Sequence, residues 1–422
     1  MNATLQSFSN IDILTNHFFA NINNEDYNKK DLVKEYMKVI KNLWNIEGNL
    51  TKKYYEPYDF KNKISQKNPQ FSGIAANDSK DLILFILEEL HKELNERSNI
   101  NNKDNQKNNN ITSNNANLSK EKKEYNQFKD DYYSKNSSII QKTFYGELES
   151  FTHCNNCDVN LYNFSIFNFL IFPLEKIRQY LINNGKYGNQ IVSLTDCFDN
   201  FISEEIMTGS NKMYCNNCNQ TCDFSTYAKI YKHPEILILI LNRGQGLQYN
   251  VPFTYSQYLT LNNYINLQDN DNYKNNNSSI TYELISVIAH IGDSSMSGHF
   301  IACCKSPVDQ KFYIYNDAFV SECNNPLSFT GDSNSNSIPY VLFYQIIKSL
   351  YFQLCDGKQL YINVKDYMTF EDVIDLLNKN DPFEKEKYTY IRKRGNKNID
   401  ISKTIKENDL ENEEIIILQK KN

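Results

Sequence analysis

Residues 281–320 read TYELISVIAHIGDSSMSGHFIACCKSPVDQKFYIYNDAFV. Two apolar runs flank a Gly/Ser-rich stretch at 292–298, and a third extended run ends at Asn316-Asp317. This pattern predicts adjacent antiparallel strands with a mobile hairpin loop over a cleft. His299 follows Gly298, a residue that lets another group approach closely. A side-chain carbonyl at Asn316 on the next strand can accept from one imidazole N–H, leaving the other nitrogen as a base. A base with its orienting group is half of a nucleophilic catalytic apparatus. His290, with Gly292 after it, sits at the strand end facing the same loop and reads equally as support for the site or as a core histidine.

The rest of the chain frames that half-site. With 422 residues, 40% hydrophobic and 23% charged, it has material for two or more globular domains. A net charge of −6 argues against nucleic acid or an anionic membrane as the main partner. No apolar run reaches membrane-spanning length, and MNATLQSFSN lacks the features of a secretory signal. Ten cysteines, four of them in two CxxC pairs, suit a metal site in a reducing compartment, so an intracellular location is expected.

Leu5, Phe8 and Ile11 have helical spacing from the first residues on, with no lead-in, which suggests a missing preceding segment. An amphipathic helix is expected at 31–44 and an apolar one at 82–94, capped by Asp78 or Ser79. Residues 96–127 are almost free of apolar groups and are expected to be a disordered insert. Further polar inserts cover about 181–190 and 268–279. From Phe144 strands dominate, broken by a helix expected at 194–206, and EILILIL at 235–241 predicts a buried central strand.

Near Ile346 the pattern restarts: alternating Leu350, Phe352 and Leu354, an Asp356-Gly357 turn, and a returning strand with Leu360, Ile362 and Val364. A capping box at 369–372 opens a helix, and strands follow at 388–392 and 414–418. That order resembles the ubiquitin-like β-grasp, which divides the chain into 1–346 and 347–422. The tail has no Gly-Gly, so this module is not itself a conjugatable modifier.

Cys154/Cys157 and Cys215/Cys218 place two sulfurs on each of two knuckles, enough for a structural four-cysteine zinc site. Cys222, close to the second pair but off its register, is a spare thiol. His17, His91, His153 and His233 read as structural.

These residues together resemble the ubiquitin-specific proteases, papain-like deubiquitinases, in order over residues 1–346. The most specific matches are Tyr282-Glu-Leu, His290-Ile-Gly292, Gly298-His299-Phe300, Tyr315-Asn316-Asp317 and the closing Pro339-Tyr-Val-Leu-Phe-Tyr344. Phe144-Tyr-Gly146 before the first cysteine pair, and His233-Pro234 and Leu241-Asn-Arg243 after the second, also fit. The resemblance implies an α+β fold with a helical thumb, a β-rich palm and zinc-bound fingers. It implies ubiquitin or ubiquitinated proteins as partners, with Asp78 holding ubiquitin's extended tail. It implies His299 as base, Asn316 as its orienter and a less secure supporting role for Asp317. Met1-Asn-Ala-Thr-Leu-Gln6 resembles the second half of the family's cysteine box, in which Cys-Tyr directly precedes Met-Asn. The nucleophile and the box's upstream asparagine would then lie ahead of Met1. Cys303 and Cys304 are poor replacements, since neither begins a helix. Two readings follow: an N-terminally incomplete copy of an active enzyme, or an inactive ubiquitin-binding protein.

Overall fold

A computed structural model describes residues 1–45, 48, 54–73, 77–97, 118–185, 191–244, 250–266, 279–294, 297–327, 329, 337–354, 358–380 and 382–421. The chain forms two compact units: 1–257 with 264–269 and 284–344, and 258–263 with 270–283 and 345–422.

In the first unit, the unbroken apolar run becomes the strand Ile236–Asn242, buried at every position but the last. A strand without alternation is one covered on both faces. Leu170–Pro173 pairs with it in parallel on one side, and Ser337–Gln353 lies on the other. The sheet continues through Thr281–Ser294, Ser297–Lys305, Phe312–Asn316 and Phe319–Cys323. Helices Asn2–Ser9, Asp12–Ala20, Asp31–Leu43, Ser79–Leu94 and Ile139–Phe144 contribute apolar residues to the same core. Phe8, fully buried, meets Phe343 and Phe144, each at 6.1 Å between ring centroids. The first helix stops at Ser9 and the second starts at Asp12, and Ile11 fills the core from the junction.

A second, four-stranded sheet has the order Asn160–Phe167, Gly146–Cys154, Phe224–Lys232, Glu205–Met207. Its edge strand corrects the helix expected at 194–206. That helix is Leu194–Phe201, opened by a reciprocal Ser193/Asp196 capping box. Ile206 instead pairs with Ser225, so a ladder takes the backbone groups a longer helix would have used.

The insert expected at 96–127 is also shorter than those bounds. Residues 98–117 lie outside the described residues, but Lys120–Lys135 is a helix whose N-cap Ser119 accepts from the Lys122 amide at 3.2 Å. Tyr125, Phe128 and Tyr132 recur at helical spacing. Tyr125 lies 4.2 Å from Tyr231 and 5.3 Å from Phe164, which supplies burial that the composition hid. Of the other polar inserts, 186–190 and 268–278 lie outside the described residues, while Leu174–Asn183 is helical.

In the second unit, residues 348–353 of the long strand pair antiparallel with Gln359–Val364, and residues 350–353 pair in parallel with Glu414–Lys420. Tyr388–Arg392 pairs antiparallel with Glu414–Lys420, and Lys397–Asn398 closes that edge. Helix Phe370–Asn380 puts Phe370, Val373, Ile374 and Leu377 into one core with Leu350, Phe352 and Leu418. Its expected capping box is present. The Thr369 amide donates to Asp372 at 3.0 Å, and the Asp372 amide donates back to Thr369 Oγ1 at 3.2 Å. The Asp356-Gly357 turn lies outside the described residues. No described helix is long and apolar enough to cross a membrane.

Candidate active site and metal centre

Strand register assembles the half-site. Ile291 faces His299, Ala302 faces Tyr315, and Asn316 faces Phe319 across the turn at Asp317-Ala318. Asp317 has φ +51°, the left-handed region that Asp tolerates better than most residues. His299 and Asn316 therefore share one face of adjacent strands, two ladder positions apart. His299 Nε2 donates to Asn316 Oδ1 at 2.8 Å, which leaves the lone pair on Nδ1. Asp317 Oδ2 stands 3.5 Å from the same Nε2, and its Oδ1 accepts from Asn2 Nδ2 at 2.6 Å. The start of helix Asn2–Ser9 thus reaches the histidine. This helix is held by its buried residues and by Ser286 Oγ, which donates to Ser7 Oγ at 2.9 Å. The side chains of His299 and Asp317 remain 43% and 51% exposed, so a substrate can reach both.

His290 is buried beneath this hairpin, edge to face with Phe300 at 4.8 Å. Its ring explains two glycines. A Cβ on Gly298 would stand 2.2 Å from His290 Cε1 and Nε2, and one on Gly292 would stand 2.9 Å from Cε1. Burial lowers the His290 pKa; Asp78 opposes that shift and His299 adds to it. The two readings of His290 thus resolve to a supporting ring packed under His299's hairpin.

Asp78 caps helix Ser79–Leu94, as expected, its Oδ1 accepting from the Lys80 amide at 2.9 Å. Its Oδ2 accepts from Tyr340 Oη at 2.6 Å and pairs with Lys80 Nζ at 2.8 Å. Arg243, fully buried, donates from Nε to the Pro339 carbonyl and from Nη1 to the Val251 carbonyl, each at 2.8 Å. It fixes the strand beside Tyr340. Nothing beside Arg243 in the sequence marks it for burial, since Asn242 and Gly244 flank it at the end of the strand.

The cysteines Cys303 and Cys304 are both buried. Burial pushes the Cys304 thiol up to about 12, and a hydrogen bond with Cys323 pushes that of Cys303 up. The same bond holds Cys323 down to about 7. Cys323 faces Phe312, however, four ladder positions from Asn316, roughly 13 Å away along the strand. None of the three is placed to serve His299.

The four knuckle cysteines meet at the far end of the four-stranded sheet. Their sulfurs all lie within 4.8 Å of one another, and Cys157 Sγ is 3.6 Å from Cys215 Sγ. A tetrahedral zinc with Zn–S bonds of about 2.3 Å sets sulfurs about 3.8 Å apart, so the four fit the ion. The knuckles repeat one another: each Cys-Asn-Asn-Cys is followed by a left-handed residue, Asp158 at φ +56° and Asn219 at φ +52°. The Asn217 side chain holds the Cys157 thiol down to about 6, which favours the thiolate that zinc binds. The cluster staples strand Gly146–Cys154 to the hairpin Met213–Cys215/Gln220–Cys222.

A family profile described as ubiquitin carboxyl-terminal hydrolase matches residues 1–344. Among curated relatives, ubiquitin carboxyl-terminal hydrolase Usp2 of Drosophila melanogaster is 25% identical over 353 residues, spanning 82% of this chain and 33% of that protein. Ubiquitin carboxyl-terminal hydrolase 2 of Bos taurus is 28% identical over 363 residues, spanning 82% of this chain and 53% of that protein. The chain thus spans about half the length, or less, of these relatives. The solved SAGA Ubp8/Sgf11/Sus1/Sgf73 DUB module bound to ubiquitin aldehyde matches with a TM-score of 0.56 at 21% identity, over 82% of this chain and 67% of that one. At that identity the likeness is one of fold.

Proposed function

Because the chain belongs to the ubiquitin carboxyl-terminal hydrolase family over residues 1–344, we propose that it grips ubiquitin and carries the base half of a cysteine-type deubiquitinase site. The observation that carries this reading is the 2.8 Å bond from His299 Nε2 to Asn316 Oδ1, formed beside the start of helix Asn2–Ser9. His299 Nδ1 is free to take the thiol proton and to return it to the leaving amine. Asn316 fixes the ring, and Asp317 holds the turn to Asn2. Asp78 accepts from the extended tail of ubiquitin while it caps its helix. Zinc at Cys154, Cys157, Cys215 and Cys218 is structural. The base is proposed to serve a cysteine of the family's Cys-Tyr-Met-Asn box, whose second half Met1-Asn2 resembles.

The C-terminal residues 347–422 are proposed to be a ubiquitin-like β-grasp. The supporting observation is a strand that lies between its antiparallel partner Gln359–Val364 and its parallel partner Glu414–Lys420, with the α-helix Phe370–Asn380 between the second and third strands. Reduced thiols at the metal centre suit work inside the cell.

The competing reading, an inactive ubiquitin-binding protein, is separated by one experiment. Ubiquitin binding is measured by calorimetry on the chain as written. Hydrolysis of a ubiquitin–fluorophore conjugate is measured on a version extended by Cys-Tyr ahead of Met1. Binding by both, with turnover only in the extended chain and lost in His299→Ala, supports the enzyme. Binding without turnover in either supports the binding protein, and no binding to ubiquitin refutes both.

A further inference from the structure

The second cysteine pair sits at the turn of a hairpin in which Cys215 faces Gln220 and Met213 faces Cys222. Residues opposite one another in an antiparallel ladder share a face, as do residues two apart on a strand. Cys222 therefore projects from the same face as Cys215, toward the zinc cluster. It is only 4% exposed and belongs to one buried cluster with Cys154, Cys215 and Phe224, against which Cys157 and Cys218 pack. Its thiol donates to the Gln220 carbonyl at 3.6 Å. It stands outside the group of four whose sulfurs all lie within 4.8 Å of one another.

Five thiols thus surround a centre that needs four. Of the four, Cys154 and Cys215 are buried, while Cys157 and Cys218 are partly exposed. Cys218 lies in the turn of the hairpin that carries Cys222 and packs against the same buried cluster, and its sulfur accepts from Asn156 Nδ2 at 3.7 Å. We propose that Cys222 is a reserve zinc ligand that exchanges with Cys218, so that the ion has two interchangeable four-thiolate shells sharing Cys154, Cys157 and Cys215. In the exchange the zinc–sulfur bond to Cys218 breaks and one to Cys222 forms. The Cys222 proton passes to the departing Cys218 thiolate, with no change in charge or oxidation state. A partly exposed ligand lost to modification is then replaced from inside the protein, and the metal stays.

The simpler alternative is that Cys222 acts only as a small apolar residue. Cobalt(II) substituted for zinc in the full chain distinguishes the two, because the thiolate-to-cobalt charge-transfer band grows with the number of coordinating sulfurs. The proposal expects Cys218→Ser to keep the parent's band intensity and one metal per chain. Cys218→Ser/Cys222→Ser should fall to about three quarters of that intensity, as three sulfurs remain, and lose zinc to a chelator at least ten-fold faster than either single variant. Cys222→Ser alone should match the parent. A three-quarter band in Cys218→Ser by itself, or no metal bound by that variant, overturns the proposal. The single variants decide the matter even if the double variant does not fold.

Discussion

Gly298→Ala tests how the hairpin holds its histidine. The added methyl would stand 2.2 Å from His290 Cε1 and Nε2, and 2.4 Å from the Ile291 carbonyl oxygen. Non-bonded carbons prefer about 3.5 Å or more, so the overlap exceeds about 1 Å on both sides. The imidazole has little room to swing away. Gly292 already gives it space, since a Cβ there would be 2.9 Å from Cε1, and Phe300 closes another edge at 4.8 Å. Overpacking typically costs about 1–3 kcal/mol, and a clash with backbone puts this case at about 3 kcal/mol. Urea denaturation should show that loss with an unchanged zinc content. Adding His290→Ala removes the ring clash but leaves the carbonyl clash. The double variant should therefore be more stable than the sum of the single losses, by about 1–2 kcal/mol. A Gly298→Ala protein within about 0.5 kcal/mol of the parent, additive with His290→Ala, would refute the reasoning.

Four further outcomes follow from the same geometry. In the chain extended by Cys-Tyr, Asn316→Ala should lower kcat about 100-fold with little change in KM, because it misorients His299 without touching the ubiquitin surface; steady-state kinetics decide. Asp78→Ala should cost about 1 kcal/mol as a lost helix cap and also weaken ubiquitin binding, whereas Tyr340→Phe keeps the cap and the carboxylate. Equal ubiquitin affinities for the two variants by calorimetry would leave Asp78 purely structural. Metal analysis should find one zinc per chain, and a strong chelator should lower the melting temperature, with the loss traced by hydrogen exchange to the four-stranded sheet. His17, His91 and His290 are each held below the ordinary 6.5 by burial. The unfolded chain then binds more protons just below pH 6.5. Stability should be full above that pH and fall as pH drops toward the lowered native values. A stability that is flat or rising from pH 7.5 to 5.5 would contradict this.

Strong local signals gave much of this structure in advance. The 235–241 run could only be a doubly covered strand, and the two Cys-Asn-Asn-Cys knuckles are brought together as their spacing demanded. His299 and Asn316 bond because antiparallel pairing makes distant residues neighbours, and alternation in the sequence carries that information. What failed depended on tertiary contact. The helix Lys120–Lys135 looks solvated in composition, and the aromatic face it packs against Tyr231 and Phe164 is a contact no local window shows. The helix expected through 206 gave way to a strand because Ser225 offered a ladder partner that no local window contains. The reason for Gly298 was hidden likewise: the ring it accommodates lies across a hairpin, eight residues back at His290.

The bond from Asn2 to Asp317 joins residues 315 apart in sequence. Bringing such a loop together costs about 5 kcal/mol of chain entropy on a simple closure estimate, and contacts of that range form slowly. The geometry around His299 is complete only when the first helix has docked on strands made more than two hundred residues later in synthesis. A nascent chain carries the histidine hairpin's partner long before the hairpin itself is made, and cannot use it until both have left the ribosome. A partly made chain therefore holds His299 without the Asn2 contact that ties Asp317 to the first helix.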